Sequence, residues 1–188
     1  MNDPTARLCD LYYYPVKGLT PHRLQQAALL PGQPIGGDRL YAIENGPSGF
    51  DPEAPAHLPK QHFFMLMRDE RLARLTCAFD PLTHVLSIAR AGKEVVRGDL
   101  RSSSGRVLIE RFFSAYCAAE RRGEPKVLSA PGHSFSDVSR KVVSIINLAC
   151  VQAIETWWTP GWIRWAFAPT FMSAAGRRGM SSRSWGAA

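Results

Sequence analysis

Two cations stand beside glycines at the ends of apolar runs. Lys17 lies in the turn Pro15-Val16-Lys17-Gly18, and Arg39 closes the turn Gly36-Gly37-Asp38-Arg39. Glycine lets backbone donors approach a ligand closely, and a lysine with an arginine can together hold a phosphate or another oxyanion. The same residues suit a solvated turn lysine and an Arg39–Asp38 surface pair, and pattern alone does not choose between these readings. Lys60 and the stretch His133-Ser134-Phe135-Ser136-Asp137 are further candidates. A solvated loop lysine accounts for the first. In the second, His133 and Asp137 can orient one another, although loop serine and aspartate more often cap backbone groups. Asn147 is expected to bond backbone in the core.

A chain of 188 residues, 45% hydrophobic and 21% charged, has the composition of a globular domain with a buried core. The opening residues carry both signs of charge and no later apolar run is long enough for a bilayer, so a cytoplasmic protein without membrane association is expected. Cys9, Cys77, Cys117 and Cys150 are far apart. They form no C-x-x-C pair, which argues against a zinc site or a disulfide framework and for buried, reduced thiols. The net charge of +7 is uneven: from Thr156 onward there are four arginines and no acidic residue. No aromatic-basic interleaving accompanies it, so a nucleic-acid partner is not expected.

The elements that must hold these residues read mainly as strands with some helix, an α+β chain. β-formers run from Leu8 to Val16 and Leu24 to Leu30, and a short apolar run from Leu40 to Ile43. The proline-rich stretch Asn45 to Lys60 has neither period and predicts an exposed loop. Arg71 to Phe79, Val85 to Ala89 and Glu94 to Arg97 predict a small antiparallel set turning at Asp80-Pro81 and Ala91-Gly92. Val107, Ile109, Phe112, Phe113 and Tyr116 recur at helical spacing. Gly123-Glu124-Pro125 marks a candidate domain boundary. After it, Lys126 to Leu128 suits a strand, and Val142 to Glu155 a strand or the start of a helix.

Four strings in order carry a family resemblance: YYPVKGL at Tyr13 to Leu19, GGDRLYAI at Gly36 to Ile43, PKQHF at Pro59 to Phe63, and HSFSDVSRKVVSIINLA at His133 to Ala149. The first three resemble the N-terminal β-barrel that precedes MOSC domains, and the fourth resembles the start of the MOSC domain itself. The resemblance implies a small β-barrel-like domain over residues 1–123 and an incomplete MOSC barrel from residue 124 to 155. It also implies a molybdenum cofactor, molybdopterin, contacted by Lys17 and Arg39. In the family a serine follows the lysine; here Gly18 leaves only a backbone N–H at that place. Lys60 lies in a matching string. Relatives such as the mitochondrial amidoxime reducing component reduce small N-hydroxylated substrates with electrons from a separate donor. Pyridoxal phosphate enters by family association with sulfurases alone, since no lysine here stands in a readable Schiff-base context.

Residues 156–188 break the resemblance. The family continues with a string like DPLRFRxNLYV, a W-x-E pair and a cysteine that ligates molybdenum, whereas here all five tryptophans crowd together. Codons that encode this chain from Trp162 onward, shifted to their third base, permit DPLGFRANLYV, so a frameshift near Glu155 is the reading. The expectation is a molybdenum oxidoreductase in its intact form, this chain being truncated and inactive, with no catalytic residue or metal ligand assigned. The alternatives are a sulfur-carrier or sulfur-transfer domain of cofactor maturation, or a non-catalytic remnant.

Overall fold

The computed structural model describes residues 7–155 together with Phe171 and Met172; the expected frameshifted tail otherwise lies outside the described residues. In chain order the elements are β1 (Asp10–Tyr13), β2 (His22–Leu24), β3 (Ala42–Asn45), β4 (Leu75–Phe79), β5 (Val85–Arg90), β6 (Lys93–Asp99), α1 (Ser103–Tyr116), β7 (Pro125–Leu128), α2 (Leu148–Glu155) and β8 (Phe171–Met172). Short 3-10 turns cover Lys60–His62 and Glu70–Arg74. The class is α+β, with strands predominant. The chain forms two units, one of Met1–Tyr12, Arg23–Ala27 and Val143–Ala188, the other of Tyr13–His22 and Ala28–Val142.

In the smaller unit β1 pairs antiparallel with β8 through Asp10–Met172 and Leu11–Phe171. Asn147 does bond backbone, its Oδ1 accepting the Ala149 N–H at 2.9 Å at the start of α2, but it is half-buried rather than in the core. Cys150 is exposed, which corrects the expectation of four buried thiols; only Cys77 and Cys117 are buried. No helix among the described residues is long and apolar enough to cross a membrane.

The larger unit holds the antiparallel sheet β4-β5-β6 and the pair β3-β7. Ala91 and Gly92 both have positive φ, as a two-residue turn of the hairpin type requires, and they join β5 to β6 where the sequence places the turn. On β4, Leu75, Cys77 and Phe79 point inward while Thr76 and Ala78 face out, the period of two that one buried face demands. Helix α1 starts where the Ser102 hydroxyl accepts the Gly105 N–H at 3.0 Å, and it buries Ile109 and Phe113 against the sheet residues Leu86 and Ile88 in one core. A satellite cluster joins Ala42 of β3 to Phe63 and Phe135.

Two predicted strands differ. Of Leu24 to Leu30 only Leu24 is in a strand, and Leu29 and Leu30 are exposed; Gln25, Gln26, Ala27 and Ala28 have little strand preference to carry β2 further. Arg71 to Arg74 belong to a 3-10 turn, because buried Asp69 folds the chain back. Its carboxylate accepts the Met65 N–H at 2.9 Å and its carbonyl accepts that of Leu72 at 3.0 Å.

Candidate functional site

The turns that carry Lys17 and Arg39 are fastened side by side. Val16 and Tyr41 form a parallel bridge in which Lys17 N–H donates to the Tyr41 carbonyl at 2.8 Å and Tyr41 N–H to the Pro15 carbonyl at 3.1 Å. At Gly18 φ is +77°, and a Cβ there would stand 2.5 Å from the Phe64 carbonyl oxygen. The turn is therefore closed to any side chain unless its backbone shifts. Arg39 itself has φ +52°, a left-handed conformation that is uncommon for a non-glycine residue. Two backbone bonds hold it there: its N–H donates to the Tyr14 carbonyl and its carbonyl accepts the Phe135 N–H at 2.9 Å.

Both residues are buried, Lys17 to 3% exposure and Arg39 to 8%. The solvated-lysine and surface-pair alternatives are thereby excluded. Asp38, 4% exposed, bonds Arg39 Nη1 through Oδ2 and accepts the Tyr14 N–H at 2.8 Å through Oδ1. Lys17 Nζ donates to the Phe135 carbonyl at 2.9 Å and to Asp137 Oδ1, while Arg39 Nη2 lies 3.9 Å from Asp137 Oδ2. One carboxylate thus spans two cations. The Asp137 side chain is 56% exposed, so it forms the outer layer of the cluster. The Arg39 guanidinium lies 5.1 Å from the Tyr14 ring centre and the Lys17 ammonium 5.6 Å from that of Phe63.

The charge states follow from depth. Burial lowers the Lys17 pKa, with the nearby Arg39 and Lys60 charges adding to it and Asp137 opposing. Burial raises Asp38 despite Arg39 and the Tyr14 N–H. For Asp137, burial alone would raise the carboxyl, but the hydrogen bond and charge of Lys17, then Arg39 and Lys60, hold it below its ordinary value. At Asp137 the pairing outweighs burial, and at Lys17 burial outweighs the pairing.

Lys60 is exposed and its Nζ reaches the Met67 sulfur at 3.7 Å; it acts on the cluster through charge. The supposed His133–Asp137 partnership is corrected. His133 packs its ring on Phe50 and Phe135, at 5.5 and 4.8 Å between centres, while Asp137 serves the two cations. Asp38 and Phe135 were missed as site residues, and Asp38 stood in plain view beside Arg39 in the GGDR turn. The buried thiols are poor metal ligands as they stand, since burial raises Cys77, and burial with the nearby Glu120 charge pushes Cys117 up to about 11.

The family model of the MOSC N-terminal beta barrel domain matches residues 5–124, which include Lys17, Gly18, Arg39 and Lys60. No curated protein and no solved structure matches the chain.

Proposed function

The chain belongs to the family of the MOSC N-terminal beta barrel domain, and from that premise we propose that it is a molybdenum-cofactor protein in which Lys17 and Arg39 hold the anionic part of the pterin. The MOSC family is generally associated with this cofactor. The observation that carries the reading is the shared carboxylate: Asp137 supplies one anion to both buried cations, which is the charge arrangement a phosphate oxygen pair would meet there.

The residues fit the anionic portion of the group. Lys17 and Arg39 would take its oxygens, the Gly18 backbone would approach without a side chain, and Lys60 would add positive charge from the rim. Asp38 fixes the guanidinium from beneath. The Tyr14 and Phe63 rings lie against the two cations and keep water from them. When bound, the cofactor would supply oxidation and reduction, with a small N-hydroxylated compound as substrate and a separate protein as electron donor. The protein's own metal ligand we place in the family strings that residues 156–188 lack, because Cys9, Cys77, Cys117 and Cys150 all stand in strings that do not match the family's metal-binding cysteine. The 188-residue chain is therefore proposed to be inactive, and its frame-restored form active.

Both forms, expressed in cells that make the cofactor, test this by the pterin and molybdenum bound per chain and by amidoxime reduction with a supplied electron donor. Pterin without stoichiometric metal is expected in the 188-residue chain, and both together with reduction in the restored one. A restored protein free of pterin and metal overturns the cofactor reading. Stoichiometric metal in the 188-residue chain overturns the reading of its tail.

A further inference from the structure

The larger unit has a second basic hollow, whose lining shares no residue with the Lys17–Arg39–Asp137 cluster. His57, His133, Ser134, Ser139 and Lys141 are among the residues that line a cavity of about 310 Å³. No carboxylate among the described residues lines it. Lys141 Nζ donates to the Ser134 carbonyl at 3.4 Å, a neutral acceptor, and takes part in no ion pair among the described residues. The Ser134 hydroxyl is committed to the Asp38 carbonyl at 2.9 Å, which leaves the Ser139 hydroxyl as the cavity's other hydroxyl donor.

We propose that this hollow binds a phosphate group. Two imidazoles, one ammonium and one hydroxyl offer one donor for each of four tetrahedral oxygens, more than a carboxylate would use. The volume lies at the lower end of the roughly 300–1,000 Å³ range of small-ligand pockets, which suits a phosphate or a small phosphate ester. The rings of Phe50 and Phe135 hold the His133 imidazole in place, so one donor is already oriented. Burial, then the charges of Lys141 and His57, lower the His133 pKa, as neighbouring basic groups around one cavity would. An anion between them reverses that repulsion. This inference stands independently of the cofactor reading, since neither Lys17 nor Arg39 takes part in it.

The test is calorimetric titration of the 188-residue chain at constant ionic strength with inorganic phosphate and, separately, with phenyl phosphate. Saturable binding of one anion per chain is expected, weakened about tenfold in His57→Gln and in Lys141→Gln, the loss of one charge-assisted hydrogen bond. His57 is exposed, so its variant is expected to keep the fold even if that of Lys141 does not. Tighter binding of the ester assigns the site to a phosphorylated metabolite; equal or tighter binding of the inorganic ion assigns it to free phosphate. Absence of saturable binding, or a wild-type constant in His57→Gln, overturns the proposal.

Discussion

Lys17 and Arg39 are deep and compensated by Asp38 and Asp137, whereas Lys141 and His57 are shallower and face no carboxylate among the described residues. Depth explains the difference. A cation removed from water must be paired or it destabilises the fold by several kcal/mol, about 3–5 when a buried partner is lost. A charge near the surface is screened and can wait for a ligand at little cost. The teaching is that an anion entering the deep cluster must exchange with Asp137, while one entering the shallow hollow displaces only water.

The comparison breaks first at Asp38. Asp38→Ala removes the buried carboxylate that bonds Arg39 Nη1 and the Tyr14 N–H and is expected to cost about 3–5 kcal/mol in urea denaturation. A loss below about 1 kcal/mol would mean that the deep cations need no internal partner. Next in size is Gly18→Ala, which adds a Cβ in a left-handed turn against the Phe64 carbonyl and should cost about 1–3 kcal/mol by the same measurement.

Asp137→Asn is milder, about 0–1 kcal/mol at neutral pH, because the carboxylate is more than half exposed. Its pH dependence is the sharper observable. Lys17 above all holds Asp137 below 3.8 in the folded chain, so its contribution is full above 3.8 and disappears as pH falls through the lowered value. The gap between wild type and variant should close in that acid window. Asp38, raised by burial, runs the other way: the proton-linked part of its contribution is full below 3.8 and declines as pH rises through the raised value, while its bonds to Arg39 and the Tyr14 N–H persist. The smallest effect belongs to the hollow. His57→Gln should move the His133 titration, followed by NMR, up toward 6.5 by removing one of the repelling charges. No movement would separate the two imidazoles electrostatically.

Local chemistry was legible in the sequence. The Ala91-Gly92 turn, the α1 stripe and the two cation-bearing turns all rest on neighbours within a few residues, and all stand where those neighbours place them. The Asp137 pairing was hidden because its partners lie far off in the chain, and nothing near Asp137 favours Lys17 over water. The burial of Lys17 was equally hidden, since a lysine beside a glycine reads as a turn until the Phe63 ring and the Phe135 carbonyl close over it. Arg71 to Arg74 misled for a related reason. The turn there depends on where buried Asp69 sends its carboxylate, and that is settled by packing rather than by strand preference.

The β3–β7 pair has a consequence in time. Ala42 faces Leu128 and Asn45 faces Pro125, so residues 46–124 must be synthesised before β3 meets its partner. Meanwhile β4, β5 and β6 can zip up through adjacent hairpins, which close quickly because little chain entropy is lost. All four residues of β3 are buried at the end. On the ribosome they emerge early and wait with the edge that β7 will cover still open, so docking of β7, which closes the long loop, is expected to be slower than the hairpins.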